Sequence, residues 1–516
     1  MRFLSIATLI VLMPVVAPAQ ATLPEIFRDH MVLQRQQPIP IWGNAAAGTA
    51  ITVKLEEAEQ STNAGKDGKW RVELPARQAG GPYILTVTAK GKTTSFKDVL
   101  LGDVWLASGQ SNMSMVMRPV LPYTMGVLDY EHEIAAANEQ NVRFYTVPEE
   151  GDFPEQAEMH GFWQVSQGSQ VCNVSAVAYY FARKMNQEAG IPIGMIISAV
   201  GSSGIDSWME MGINRNRHAE DMAATDKLLA DHSVEFAEYQ RDRPDFDLRA
   251  EESLKSCGSG LPMPMHKQPF PGFLFKRSAI YNAMIAPLHQ VPIKGVIWYQ
   301  GEADAKWYQV YADRMQDLIV SWRTYWHQPQ MPFYFVQLAA WSPEERQGLD
   351  FDPKSLNFTN LREKQRIAAM VIPNTGMAVS ADLGDPMFIH PRNKKPVGER
   401  LALLALAHDY GIKVVSSGPT LKSMSRSGEE LYLKFDMHDS PLRVNTGTRP
   451  YGFEIAGADK VFHPAIATVD GDTIKLTSPQ VKEPQNARYG WRENPSLSLY
   501  NAAGLPASPF TTELQK

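Results

Sequence analysis

The stretch Asp103-Val-Trp-Leu-Ala-Ser-Gly-Gln-Ser111-Asn-Met113 constrains this chain more than any other. Val104 to Ala107 is apolar at every position, the pattern of a strand buried on both faces. Ser108-Gly109 is a turn signal that stops the run. Ser111 therefore falls just past the carboxyl end of a strand, where open α/β sheets form their ligand crevice. A serine hydroxyl becomes a nucleophile only when a neighbouring base takes its proton. The same residues also suit a polar turn whose serine caps a helix, and the stretch alone does not choose.

The chain has 516 residues, more than one ordinary domain holds, so two or three domains are expected. Hydrophobic residues make up 44% and charged residues 21%, which fits a soluble globular protein with a large core. A net charge of −6 with no long basic run argues against a nucleic-acid partner. Residues 1–21 read as a secretory leader: Arg2, a short apolar run, then small residues that allow cleavage after Ala19 or Ala21. The apolar run is short for a membrane span, so the mature protein is expected to be secreted or periplasmic with no span of its own. No cysteine follows the cleavage region, so a lipid anchor is not indicated. Cys172 and Cys257 are the only cysteines. Export would allow them to pair, but their spacing does not say whether they meet. No Cys/His cluster has zinc-ligand spacing, and no metal is expected.

Residues 22–100 carry closely spaced strand patterns: Ile39–Gly43, Ile51–Leu55, Trp70–Leu74 and Tyr83–Thr88. Turn signals and no helical pattern between them predict a β-sandwich or jelly-roll-like domain. From 101 to 412 strands alternate with helices, the signature of an α/β domain. Expected strands are Asn141–Val147, Ile191–Ser198, Lys294–Tyr299, Pro332–Leu338 and Met377–Ala381, and expected helices Val174–Met185, Tyr308–Trp326, Leu361–Met370 and Val397–His408. Residues 209–275 read as an insertion, helical and charged over Ala219–Leu248 and then rich in Pro and Met, suited to a lid or rim. Residues 413–516 return to strands and form a second β-rich region.

Polar groups recur where the strands end. Ile191–Ser198 runs into Gly201-Ser202-Ser203-Gly204, either a cradle of backbone N–H groups for an anion or a tight strand-to-helix turn. Lys294–Tyr299 runs into Gln300-Gly301-Glu302, and Met377–Ala381 into Asp382-Leu-Gly-Asp385-Pro-Met-Phe-Ile-His390. In a parallel sheet these ends share one rim. Among twelve histidines, His390 stands out by following a strand, preceding a helix and having acidic residues before it. A nucleophile, a base oriented by a carboxylate and a place for an oxyanion are the parts acyl transfer needs.

Gly102–Met113, Ile297-Trp-Tyr-Gln-Gly-Glu302, Ile389-His-Pro-Arg-Asn-Lys394, Tyr281–Leu288 and Asn501–Phe510 together resemble the sialate O-acetylesterase family of the SGNH hydrolase superfamily. The resemblance implies a flavodoxin-like, three-layer α/β/α domain flanked by β-regions, and removal of O-acetyl groups from an acetylated sugar or glycan without metal or organic cofactor. It casts Ser111 as nucleophile and His390 as general base, with the N–H groups of Ser111 and Gly201 as oxyanion donors. Gln300 and Glu302 would line the site, Gln300 as a further donor. The family pattern departs here in two places. Met387 and Phe388 stand where relatives carry the acid, which leaves Asp385, then Asp382, or a backbone carbonyl to orient the imidazole. Val200-Gly201-Ser202 replaces a Trp-Gly-Gly pattern. Three rival readings stay open: acetylxylan or plant-glycan deacetylation, glycan binding without catalysis if the acid partner is lost, and hydrolysis of longer acyl chains in a channel supplied by the Met- and Pro-rich insertion.

Overall fold

The computed structural model describes residues 21–153, 155–257, 266–342 and 357–513. The expected leader lies outside the described residues, Ala21 excepted. One 18-residue strand, Lys92–Gly109, organises the rest. Its outer half mixes exposed and half-buried positions, while every residue from Val99 to Gly109 is buried. The outer half pairs antiparallel with Gly80–Ala89, and Leu100–Gly102 pair in parallel with Val32–Gln34. The inner half runs between two parallel partners, Ile193–Ala199 and Gly295–Tyr299. The boundary expected at 100/101 thus falls inside a continuous strand. What changes there is burial, from one face to two, and that change leaves no turn residue behind.

The central sheet runs in the order Thr375–Ala378, Phe333–Val336, Gly295–Tyr299, Lys92–Gly109, Ile193–Ala199, Asn138–Thr146, Phe162–Gln167. Its neighbours are parallel except the last pair, where Phe162–Gln167 forms an antiparallel edge that the residue pattern did not reveal. The chain builds one side first, then crosses the central strand to build the other. The carboxyl end of Lys92–Gly109 is therefore the switch point, where such sheets open a crevice. Trp105 packs edge-on against Phe181 of the Ala176–Ala189 helix at 5.2 Å between centroids. From the opposite face Trp298 meets Trp322 of the Tyr311–Tyr325 helix at 5.9 Å. The Lys395–Asp409 helix lies against Ala176–Ala189, and Phe358–Val371 against Tyr311–Tyr325, which completes three layers.

The expected insertion folds as helices, chiefly Ala219–Asp231 and Ser233–Lys255. It has a small core of its own around Phe153, Tyr239, Phe270 and Phe273. Buried Arg243 ties it to Glu150 and Asp152, just beyond the Asn138–Thr146 strand. The C-terminal region holds two four-stranded antiparallel sheets closed over Leu433, Ile455, Leu476, Leu499 and Phe510. Among the described residues no helix is long and apolar enough to cross a membrane.

Arg362 joins this last region to the α/β domain. Its fully buried guanidinium donates to the carbonyls of Leu338 and Ala339 on one side, both at 2.8 Å. On the other it donates to those of Arg492 and Glu493, at 2.9 and 2.8 Å. Arg362→Met keeps the volume and strands four acceptors. The expected loss is about 2–4 kcal/mol of unfolding free energy in a urea titration.

Candidate active site

Gly109 ends the central strand at φ +136°, where a Cβ would lie 2.2 Å from the Tyr299 carbonyl oxygen. Only glycine lets two neighbouring strand ends approach so closely and turn. Gln110 follows, its N–H bonded to that Tyr299 carbonyl at 2.9 Å. Its side-chain oxygen accepts from the N–H groups of Gly301 and Ala303, both at 3.2 Å. Ser111 then opens a single helical turn, Ser111–Ser114, half-buried at the rim.

Asn112 links this turn to the other strand ends. Its Nδ2 donates to Glu302 Oε1 and, at 3.0 Å, to the carbonyl of Ile389, the residue before His390. Its Oδ1 accepts from the fully buried Lys394 Nζ, which also sits 5.3 Å above the Tyr299 ring. Ser111 and His390 are thereby carried to one rim, although no hydrogen bond joins their side chains among the described residues. Gly201 arrives from the adjacent strand, with Val200 N–H bonded to the Gly109 carbonyl at 3.0 Å. A Cβ on Gly201 would lie 3.8 Å from that of Ser111.

The remaining candidates stand differently. Gln300 is fully buried, and its amide donates to the Ser203 carbonyl at 3.1 Å and to Asp304 Oδ2 at 2.6 Å. Asp304 Oδ2 also takes the Ile205 N–H at 2.8 Å. Gln300 thus braces the loop that carries Gly201, and both its N–H groups are spent there. Asp385 Oδ1 accepts from the N–H groups of Met387 and Phe388, at 2.8 and 3.2 Å. Asp382 forms a two-pronged pair with Arg400, both contacts at 2.7 Å. His390 Nδ1 instead lies 3.2 Å from the Tyr123 carbonyl. A carbonyl only accepts, so Nδ1 carries the proton and Nε2 is left with a free lone pair.

Four participants escaped the sequence reading. Asn112 and Lys394 lie inside the recognised stretches, but a lysine in a polar loop reads as solvated. Tyr123 contributes its carbonyl, which every residue has, so no signal existed. Glu149 accepts the Gly201 N–H, and desolvation by the protein packed around its carboxyl raises it to about 7. Among the described residues no group of three or more His, Cys, Asp or Glu side chains is arranged to hold a metal ion.

Burial, reinforced by the neighbouring Lys394 charge, lowers the His390 imidazole below its ordinary value, against the opposing pull of the Tyr123 carbonyl. Burial likewise pushes Lys394 down to about 7, with Glu302 acting in the other direction. A lowered imidazole stays neutral, and so able to accept a proton, further into acid than a free histidine. Histidine-selective NMR should therefore find the His390 titration below pH 6.5, the reference value. Lys394→Met removes the repelling cation and should move that midpoint upward.

Comparison with known proteins bears on what this geometry serves. A family model described as "Carbohydrate esterase, sialic acid-specific acetylesterase" matches residues 101–231 and 269–407. The sialate O-acetylesterase of Rattus norvegicus is 29% identical, the match covering 94% of this chain and 93% of that one. The Homo sapiens sialate O-acetylesterase is 28% identical, covering 93% and 90% respectively. The crystal structure of a carbohydrate acetylesterase from Xanthomonas citri superposes with a TM-score of 0.77 at 34% identity, covering 96% of this chain and all of that one. The three-layer domain is accordingly of the SGNH-hydrolase type, and the chain is an esterase that belongs to the sialic acid-specific acetylesterase family of carbohydrate esterases.

Proposed function

We propose that this esterase removes O-acetyl groups from sialic acid or related glycans through an acetyl-enzyme, acting outside the cytoplasm after export. The observation that carries the reading is the Asn112 amide, which binds the turn of Ser111 to the residue beside His390. In this scheme His390 Nε2 takes the Ser111 proton as Oγ attacks the acetyl carbonyl carbon. The carbonyl oxygen gains the electron pair and is met by the N–H group of Ser111 and by that of Gly201, which leaves Glu149 to do so. Collapse breaks the ester bond, and the leaving sugar oxygen takes the proton back from the imidazolium. Water repeats the sequence on the acetyl-enzyme, releasing acetate and restoring Ser111. The imidazole is oriented by the Tyr123 carbonyl in place of an acid, a Ser–His dyad. Each oxyanion donor in such a site contributes roughly 3 kcal/mol to the transition state.

A second reading, deacetylation of a neutral plant glycan such as acetylxylan, has its own support. Tyr123 and Phe388 flank His390 with 71% and 47% of their surface exposed, flat apolar faces suited to sugar rings. The nearby cations are occupied: Arg392 on the carbonyls of Gly126 and Val127, Lys394 on Asn112. A sialate carboxylate would want one of them free. Acetate release from an acetylated sialoside and an acetylated xylooligosaccharide, measured side by side, decides between the two.

Ser111→Ala should abolish turnover of p-nitrophenyl acetate, and activity retained by that variant excludes the scheme. His390→Ala should lower kcat/KM by about 10³ or more. Asp385→Ala should change it by less than about threefold, because that carboxylate is engaged on backbone N–H groups and the imidazole on Tyr123; a loss near 10⁴ would restore Asp385 as the orienting acid.

A further inference from the structure

Cys172 and Cys257 lie on either side of the joint between the insertion and the α/β domain. Cys172 is buried just ahead of the Ala176–Ala189 helix, and Cys257 is exposed just past the Ser233–Lys255 helix. Asn173 holds these two segments together. Its Nδ2 donates to the Leu254 carbonyl at 2.8 Å and to those of Ser253 and Ser256 at 3.3 Å. Its Oδ1 accepts from Arg118 Nε at 2.6 Å, and Arg118 N–H reaches the Cys172 carbonyl at 3.2 Å. The segment leading to Tyr123 is thus anchored at the same joint. Each cysteine is the chain neighbour of a residue in this contact, Cys172 of Asn173 and Cys257 of Ser256, and both are reduced in this structure.

We propose that Cys172 and Cys257 form an intramolecular disulfide that clamps the end of the insertion's last helix to the α/β domain. The proposal is independent of the hydrolytic scheme and holds whether or not Ser111 is the nucleophile. The chemistry is exchange with a small disulfide such as oxidised glutathione. The exposed Cys257 thiolate attacks one glutathione sulfur; an S–S bond forms, the old one breaks, and one glutathione leaves as thiolate and is protonated. Cys172, deprotonated, then attacks Cys257 Sγ and displaces the second glutathione. Two S–H bonds are exchanged for one S–S bond, and one disulfide is reduced to two thiols. Burial first, with Cys257 beside it, pushes the Cys172 thiol up to about 12, so this second attack is the slow one and quickens with pH. A clamp across so long a loop restricts the unfolded chain and raises stability.

The test takes the reduced full chain, incubates it with oxidised glutathione over a range of pH from about 7 to about 9, and maps peptides by mass spectrometry without reduction. The expected result is a linked peptide pair containing Cys172 and Cys257, no titratable thiol in denaturant, and faster closure at higher pH. Reducing the linked protein should lower Tm by several degrees, whereas Cys257→Ser should show no redox-dependent shift. Two thiols still free, glutathione persisting on Cys257, a dimer linked through Cys257, or a Tm unmoved by reduction of the linked form would each overturn the proposal.

Discussion

The site depends on one side-chain amide. Asn112 offers an acceptor to the buried Lys394 ammonium and donors to the Glu302 carboxylate and the Ile389 carbonyl. Three segments far apart in the chain meet there: the end of the central strand, the end of its neighbour, and the loop before the last helix of the domain. A carboxylate at this position could not donate, and an aliphatic chain would take from the buried Lys394 ammonium its acceptor and from Glu302 Oε1 its donor. Breaking such a buried pair by losing one contact typically costs several kcal/mol. The amide is neutral and meets both charges at once.

The same arrangement sets the electrostatics of the rim. Glu302 Oε2 is buried without a hydrogen bond among the described residues, and burial raises its carboxyl while the Asn112 amide and the Lys394 charge pull it back. Lys394 in turn disfavours a proton on His390. An imidazole kept neutral, with Nδ1 on a backbone carbonyl, is ready to accept at Nε2 without a carboxylate behind it. Gln300 and Asp304 serve the opposite wall, since they hold the Gly201 loop in place. Rigid support of this kind lets short, otherwise unremarkable turns present reactive groups with fixed geometry.

Much of the fold was legible in the chain itself. The apolar runs ending in Gly109, Ala199 and Tyr299 are strands in the structure, and the helical periodicities became Ala176–Ala189, Tyr311–Tyr325, Phe358–Val371 and Lys395–Asp409. Elements hard to read locally were those whose partners set their state. Phe162–Gln167 is a strand because Asn138–Thr146 offers it an edge. Lys92–Gly109 is one strand because a second sheet continues the first.

Sequence alone determined where the rim would be, because strand ends are marked by local chemistry: apolar runs, then glycine and polar residues. It also singled out Ser111, Gly201, Glu302 and His390, since those residues stand at such ends. Only the tertiary structure decided who touches whom. Gln300 turns inward to brace a loop, Asp385 turns to its own backbone, and Tyr123 brings a carbonyl to His390. Hydrogen bonds are directional and short-ranged, so their partners are fixed by how distant segments pack, and a carbonyl carries no mark in the sequence.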